Sequence, residues 1–226
     1  MLKFIVKLLM NQKILNQLIT DVGQQEITAD YIKNTFDIEI SKKYDNIEQW
    51  TKAIDDSVLH RYFSKVWQSD MKKWKHSGLQ LIDEVNKLRP RAVLDVGCGY
   101  NEFKGKIKYL IGIDPYNDKA DVVINTIDYK PKEKFDVILC LGSINFGSQH
   151  KIETEVAHCA SLLEQDGIMF FRVNPGQPHD KPESKWIDFF AWNVPFILEL
   201  AKKLNLQVLD IRDDTNKRKY FVYRKI

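Results

Sequence analysis

The sequence predicts an α/β fold in which a doubly wound, mostly parallel sheet with an antiparallel C-terminal strand follows an N-terminal helical segment. Short apolar segments rich in β-branched residues recur after residue 90. The first of them runs into a glycine-containing turn, and the last two are separated by a polar turn. The earlier residues show helical periodicity instead. We therefore expect a helical segment over residues 1–76 and a sheet domain over residues 77–226.

The opening of the chain is expected to form an amphipathic helix that packs on protein. Apolar residues from Ile5 to Val22 repeat on one helical face, and Lys3 and Lys7 interrupt the first apolar run. No small-residue cleavage site follows, as a secretory signal would require. No stretch is long and apolar enough to span a bilayer, so no transmembrane segment is expected.

Three more helices are predicted before the sheet. The run 45–48, Asp-Asn-Ile-Glu, is a candidate capping box, and Ser57 is a candidate cap for a longer helix with a bulky face from Leu59 to Trp74. A helix over Ser77–Leu88 then leads into the first strand. The bulky face either packs against the sheet domain or covers a ligand site.

The first strand ends in a turn suited to a nucleoside cofactor. Asp95 is followed by Gly97 and Gly99, which can adopt positive φ and, lacking a Cβ, allow a ligand to approach the backbone. A second apolar strand ends on Asp114, whose carboxylate can accept hydrogen bonds from two ribose hydroxyls. A dinucleotide is disfavoured because Glu102 stands where a third glycine would face the pyrophosphate.

This pattern resembles the class I S-adenosylmethionine (SAM)-dependent methyltransferases, which have a Rossmann-like sheet. The matching features are Asp-x-Gly-x-Gly after Val-Leu and an acid that ends the next strand. The resemblance extends from about Gly78 to Ile226. It includes Phe135–Ser143 as the fourth strand of the family and a turn at 166–167 before the fifth strand.

The resemblance implies SAM as the cofactor and assigns six residues to its parts. For the adenine amino group, Asp128 is a second candidate acceptor besides Asn125. The implied contacts are Asp95, Gly97 and Gly99 with the methionine part, Asp114 with the ribose, Asn125 with the adenine amino group, and Leu141 beneath the sulfonium.

The chain departs from the family's pattern in two ways, and the second indicates a compact variant. Asn101 stands where the family usually has a third glycine, and we expect it to adopt left-handed backbone geometry, which Asn tolerates better than most residues. The predicted third strand, 120–124, follows Asp114 so closely that no helix fits between them. Helices on one face of the sheet are therefore expected to be trimmed.

The catalytic residues are not carried over from the family. Many relatives have a histidine at the end of the fourth strand, and here the nearest one is His150. By location, His150 and His179 are candidates for a general base, and Asn145 and Ser143 for orienting the acceptor. An aromatic cluster follows the Pro- and Gly-rich loop after the fifth strand and forms either core or an acceptor wall: Trp186, Phe189, Phe190 and Trp192.

Composition predicts a globular protein with no evident nucleic-acid footprint. The chain is 44% hydrophobic and carries a net charge of +3 that is spread evenly until Lys217–Lys219, which we interpret as a solvated hairpin. Three cysteines form no paired framework, which favours a reducing, cytoplasmic compartment. No metal site is predicted, because neither a Cys-x-x-Cys motif nor clustered histidines occur.

Three functional classes follow from these observations. We favour a methyltransferase that acts on a small-molecule, sugar or lipid-like acceptor, because the loops are short. A methyltransferase for nucleic acid or protein is the second reading. Methylation of base amino groups is disfavoured because the run 141–144, Leu-Gly-Ser-Ile, replaces the Asn/Asp-Pro-Pro-aromatic motif of those enzymes. The third is a degenerate SAM-binding module that regulates a partner.

Overall fold

A computed structural model describes residues 10–22, 26–67 and 69–226. Within them the chain forms one six-stranded sheet. Its strands are β1 (Val93–Val96), β2 (Leu110–Ile113), β3 (Phe135–Leu141), β4 (Leu163–Val173), β5 (Leu206–Asp213) and β6 (Lys219–Lys225).

The strand order is β2-β1-β3-β4-β6-β5, and β6 alone runs against its neighbours. The predicted mostly parallel sheet with an antiparallel C-terminal strand is confirmed. The chain progresses in opposite directions from β1, so the carboxyl ends of β1 and β3 flank a crevice in which a ligand can bind.

The described helices are α1 (Gln12–Val22), α2 (Ala29–Phe36), α3 (Ile47–Arg61), α4 (Leu81–Lys87), α5 (Gln149–Leu162) and α6 (Val194–Lys203). Side-chain oxygens accept from the first-turn amides of four of them, as sequence preferences at N-caps predict. These caps are Thr28, Asn46, Ser148 and Asn193. No helix in the described ranges is both long and apolar enough to cross a membrane.

The predictions for the N-terminal helices are partly wrong. The capping box lies one residue later than the run 45–48 predicts, because Asn46 accepts from the amide of Gln49 and caps α3. Ser57 lies inside α3, which continues to Arg61 and then widens into a π-helical turn, Tyr62–Val66. The backbone becomes extended at Trp67, so the bulky residues as far as Trp74 do not share one helical face. Of the predicted opening helix, residues 1–9 lie outside the described residues.

Two shorter differences concern the sheet domain. The helix predicted from Ser77 begins only at Leu81, after a tight turn in which a Cβ on Gly78 would lie 2.1 Å from a carbonyl oxygen. The strand predicted over 120–124 is reduced to a single bridge between Ile113 and Val122. Val122 and Val123 are exposed at the sheet edge, so no apolar layer stabilises a longer strand there.

Three apolar clusters hold the fold together. Two lie on opposite faces of the sheet. The third is formed by α1, α2 and α3 with Ile187 and Phe189, so the N-terminal helices pack on the loop before α6 as well as on one another. Buried helix α3 residues such as Ile54 belong to this third cluster and to neither sheet face.

Candidate functional site

The turn after β1 has the geometry that its glycines predict. Gly97, Gly99 and Asn101 all have positive φ, at 65°, 53° and 56°. The expectation of left-handed geometry at Asn101 is confirmed. A Cβ on Gly97 would lie 2.3 Å from the Cβ of Ser143, whereas one on Gly99 would meet nothing within 4 Å. Gly97 is therefore required by packing, and Gly99 borders open space.

Asp114 ties this turn to the end of β2. One carboxylate oxygen accepts from the amide of Gly99 at 3.0 Å, and the other accepts from the amides of Tyr116 and Asn117 at 2.8 and 3.0 Å. Burial raises the pKa of Asp114 despite these hydrogen bonds. A carboxylate has about four acceptor positions, so Asp114 retains capacity for a ligand hydroxyl.

Asp95 is buried within β1 with 4% of its surface exposed. Its carboxylate has no hydrogen-bond partner among the residues that the structure describes. Burial, and then the nearby charge of Asp114, raise its pKa to about 7. The ionised form of Asp95 is therefore costly unless a positive charge is bound close by.

A cavity of about 580 Å³ opens at the carboxyl ends of β1 to β4. One end is formed by the glycine turn, Asp114, the residues after β3, and the turn Thr126–Asp128. The opposite end is aromatic and basic. Of the predicted site residues, the cavity is lined by Gly97, Gly99, Asp114, Asn125, Leu141, Asn145 and His179, while Asp95 and His150 are not part of its lining.

The two candidates for adenine recognition differ in position. Asn125 lines the cavity, and its amide nitrogen lies 3.4 Å from a carboxylate oxygen of Asp128. Asp128 is exposed and does not belong to the lining. Ile127 adds an apolar side chain to the same wall. The geometry thus favours Asn125 as the polar contact.

The candidate catalytic residues are separated by the structure. His150 lies exposed on the first turn of α5, outside the cavity lining. Asn145 is buried, and its side-chain oxygen accepts from the amide of Asn174 at 2.8 Å, so it braces the loop after β4. Ser143, in the lining, has a buried hydroxyl without a partner in the described residues.

His179 lies in the cavity beside aromatic rings. Its Nδ1 is 2.8 Å from the hydroxyl of Tyr62, and its ring stacks on Trp67 with centroids 6.0 Å apart. Burial, followed by the charges of Arg218 and Arg172, lowers its pKa to about 4. The imidazole is consequently neutral near pH 7.

Of the two alternatives for the aromatic cluster after β4, core packing is the one that the structure has. Trp186 and Phe189 pack with the N-terminal helices, and Phe190 and Trp192 pack with the sheet core. None of these four rings lines the cavity. Its aromatic surface comes instead from the N-terminal segment and the loops after β1, β2 and β3: Tyr62, Phe63, Trp67, Trp74, Tyr100, Tyr116 and Phe146.

Several functional candidates were missed from the sequence. Arg172 and Arg218 line the basic end of the cavity. Lys151 and Glu155, on one face of α5, also line the cavity. Burial raises the pKa of Glu155 to about 7. The only sequence signals were an arginine inside an apolar strand and an i, i+4 charge pair on a helix.

By sequence alone, the chain matches no protein-family model and no curated protein. By structure it is similar to several solved methyltransferases at low identity. The 1,6-didemethyltoxoflavin-N1-methyltransferase of Burkholderia thailandensis, with bound 1,6-didemethyltoxoflavin and S-adenosylhomocysteine, is 14% identical with a TM-score of 0.58, covering 83% of this chain and 94% of that one. The CcbJ methyltransferase of Streptomyces caelestis is 12% identical with a TM-score of 0.55, covering 74% and 96%.

A third similar structure is the magnesium protoporphyrin IX methyltransferase (ChlM) of Synechocystis PCC 6803 with bound SAM. It is 11% identical with a TM-score of 0.52, and the match covers 76% of this chain and 97% of that one. These similarities span nearly the whole of each solved chain. The protein therefore has the fold of the class I SAM-dependent methyltransferases.

Proposed function

We propose that this protein transfers the methyl group of SAM to a small-molecule acceptor. The observation that carries the proposal is the position of the cavity, which joins the glycine turn and Asp114 at one end to an aromatic and basic region at the other. Proteins of the same fold support it. The Burkholderia enzyme was solved with S-adenosylhomocysteine and ChlM with SAM, and both names give small-molecule substrates.

The residues at the first end of the cavity fit this cofactor. Gly99 and Gly142 have positive φ, and a Cβ on either would meet nothing within 4 Å, so bare backbone borders the cavity. The hydroxyl of Ser143 is buried and unpartnered in the described chain. Asp95 is a buried carboxylate whose charge a cationic ligand would offset. SAM carries both a sulfonium and an ammonium.

Each cofactor-binding residue has a distinct role in this proposal. Gly97 and Gly99 would hold the methionine part, with the buried Asp95 carboxylate offsetting its positive charge, and Asp114 would accept from the ribose hydroxyls. Asn125 accepts from the adenine amino group, and Leu141 lies beneath the sulfonium. When bound, SAM would supply an electrophilic methyl group for transfer to a nucleophilic atom of the acceptor, with S-adenosylhomocysteine as the leaving group.

The chain's own contribution is mainly orientation. Holding two reactants in line can contribute roughly 7–11 kcal/mol to lowering a barrier. His179 is neutral and can accept a hydrogen bond or proton at Nε2 in the tautomer whose Nδ1 donates to Tyr62. Asn145 acts as a positioning residue, because its side chain is used in bracing the loop after β4.

The helical segment 1–76 covers the acceptor end in this proposal. Seven of its described residues, at and after the end of α3, line the cavity: Leu59, Tyr62, Phe63, Trp67, Ser69, Asp70 and Trp74. The aromatic rings among these residues exclude water from the place where an acceptor would lie. Since the N-terminal helices also pack on the loop before α6, this cover is joined to the rim of the site rather than free of it.

Calorimetry with S-adenosylhomocysteine tests cofactor binding. Asp114→Asn should weaken binding substantially, because a hydrogen bond to a charged group contributes about 1.5–3 kcal/mol. Asp118→Asn is the matched control, since its side chain is 87% exposed. Equal affinity in wild type and Asp114→Asn would remove the ribose assignment, and no binding by wild type would overturn the proposed cofactor.

Labelled SAM with fractionated cell extract tests the acceptor class. Label entering the small-molecule fraction, with release of S-adenosylhomocysteine, supports the proposal. Label in the nucleic-acid or protein fraction would replace the acceptor class. Cofactor binding without transfer to any fraction would identify a regulatory SAM-binding module instead.

A further inference from the structure

Arg172 is a buried guanidinium at the end of the cavity opposite the cofactor residues. It lies at the end of β4 with 6% of its surface exposed, and its guanidinium sits 4.2 Å above the ring of Trp74. Nη2 donates to the carbonyl of Thr215 at 3.2 Å. Nε lies 3.4 Å from Asp214 Oδ2, an ion-pair distance without an aligned hydrogen bond. Nη1 has no hydrogen-bond partner among the described residues, so its N–H donors are available to the cavity.

Asp214 accepts hydrogen bonds from several other groups and does not satisfy all the N–H donors of Arg172. Its carboxylate accepts from the hydroxyl of Ser77. It also accepts from the amides of Lys75 and Thr215, both at 2.7 Å. Its main role is to anchor the segment before α4 to the hairpin between β5 and β6. The single carboxylate offsets one positive charge in this region.

Arg218 supplies a second positive charge from that hairpin. Asn216 and Lys217 both have left-handed backbone, with φ of 60° and 57°, a strained pair that shapes the turn beside the cavity. The Arg218 side chain has no ion pair or hydrogen bond within the described residues. Burial, and then the charge of Arg172, lower its pKa to about 10, so it remains charged near pH 7.

The surrounding charges leave this end of the cavity positive. His179, which both guanidiniums influence, is neutral near pH 7. Asp180 lines the cavity but is exposed, and Asp70 is paired with Lys73 at 2.7 Å. No acid among the described residues lies within ion-pairing distance of Arg218. The region interpreted from the sequence as a solvated hairpin thus places an uncompensated guanidinium in the cavity.

We propose that Arg172 and Arg218 bind an anionic group, a carboxylate or phosphate, on a small aromatic acceptor. The planar forks of two guanidiniums match the oxygens of such groups. Trp67, Trp74 and Tyr62 supply flat apolar surface beside them for the body of the acceptor. That the bound molecule is a methyl acceptor rests on the proposed function, whereas the anion site itself rests on these side chains alone.

Calorimetry with three naphthalene probes tests the site in the presence and absence of S-adenosylhomocysteine. The probes are naphthalene carboxylate, naphthyl phosphate and the neutral naphthalene carboxamide. At least one anionic probe should bind about tenfold more tightly than the carboxamide, because one hydrogen bond to a charged group contributes about that factor to the affinity. The stronger of the two anions identifies the group. Equal binding of all three, or no binding of either anion at millimolar concentration, would overturn the proposal.

Arg218→Gln should reduce the anion preference to near unity without a loss of folding, since the side chain makes no pair in the described residues. Arg224→Gln, within the strand β6 that follows Arg218, is the matched control, because it removes an equal charge from an exposed pair with Asp166. An anion preference that survives Arg218→Gln, or is lost equally in both variants, would contradict the site. S-adenosylhomocysteine binding with no anion preference would leave the proposed cofactor intact and refute only this inference.

Discussion

Gly97 and Gly99 have similar backbone angles and different neighbours. Both lie in the left-handed region, but only Gly97 is closely packed, against Ser143. Both the backbone conformation and close packing therefore require glycine at Gly97, whereas at Gly99 only the backbone conformation favours it. A sequence motif that treats the two as one signal hides this division.

Alanine at each glycine should separate the two roles. Gly97→Ala combines a positive φ with overpacking, so we expect it to destabilise folding by about 2–4 kcal/mol. Gly99→Ala carries only the backbone cost of about 1–2 kcal/mol, and its added methyl group points into open space. Thermal unfolding and calorimetry with S-adenosylhomocysteine measure both effects. The distinction fails if Gly99→Ala unfolds more readily than Gly97→Ala.

Asn125 is expected to recognise the adenine amino group. An inosine analogue of S-adenosylhomocysteine has a carbonyl there, so the unpaired acceptor should cost about 1–3 kcal/mol. Asn125→Ala should abolish this discrimination, and Asp128→Ala, outside the cavity lining, is the control. Titration of each protein with both nucleosides gives the comparison. Discrimination that disappears only in Asp128→Ala would reverse the assignment.

At the scale of elements, the N-terminal helices form a unit with part of the sheet domain. Ile54 of α3 is fully buried and packs in the same cluster as Ile187 and Phe189, which belong to the segment before α6. Asn11 reinforces this link, because its side chain donates to the Asp55 carboxylate and to the carbonyl of Trp186, each at 2.7 Å. The cover of the cavity and its rim should consequently open together.

Ile54→Ala tests this coupling. A fully buried large-to-small change costs about 2–5 kcal/mol. Hydrogen exchange should increase in α1 to α3 and in residues 182–189 while the amides of β1, β3 and β4 stay protected. Ile138→Ala, in the sheet core, should expose the sheet as well. Equal loss of protection across the sheet in Ile54→Ala would show one cooperative unit instead.

At the scale of the whole molecule, buried acids make stability depend on pH. The pKa of Asp55 is raised to about 6, and those of Asp95 and Glu155 to about 7, in each case first by burial. A carboxyl group with a raised folded-state pKa keeps a proton that the unfolded chain releases. The free energy of unfolding contributed by these groups therefore falls as pH rises from about 4 to about 7, and is constant above that.

Asp95→Asn isolates one of these contributions. The variant cannot ionise, so its gain in unfolding temperature over wild type should be small near about pH 4 and largest above about pH 7. The lowered pKa of His179 makes stability change with pH in the opposite direction, but this contribution is the same in both proteins and cancels in their difference. Thermal unfolding of the free proteins across this range is the measurement. A gain that is independent of pH would mean that Asp95 is not protonated in the folded state near neutral pH.

The fold was largely predictable because its signals are local. β-Branched runs, an Asp-x-Gly-x-Gly turn and paired C-terminal segments specify strands, their order along the chain and an α/β class. The same locality explains the left-handed Asn101 and the cap at Asn46. The errors lie where tertiary contacts override local preference: Ser57 inside α3, and the edge segment 120–124 with no layer to cover it.

Most strands of the sheet, the geometry of the glycine turn and the polar residues that end the strands follow from backbone sterics and hydrophobic periodicity within short windows, so they can be predicted from the sequence. Which side chains share the cavity depends on tertiary contacts, and only the three-dimensional structure reveals it. It excluded His150 and the aromatic cluster after β4, and it brought Arg172 and Arg218 to one end although they are 46 residues apart. Proximity between distant segments arises from sheet pairing and from burial, neither of which a linear pattern records.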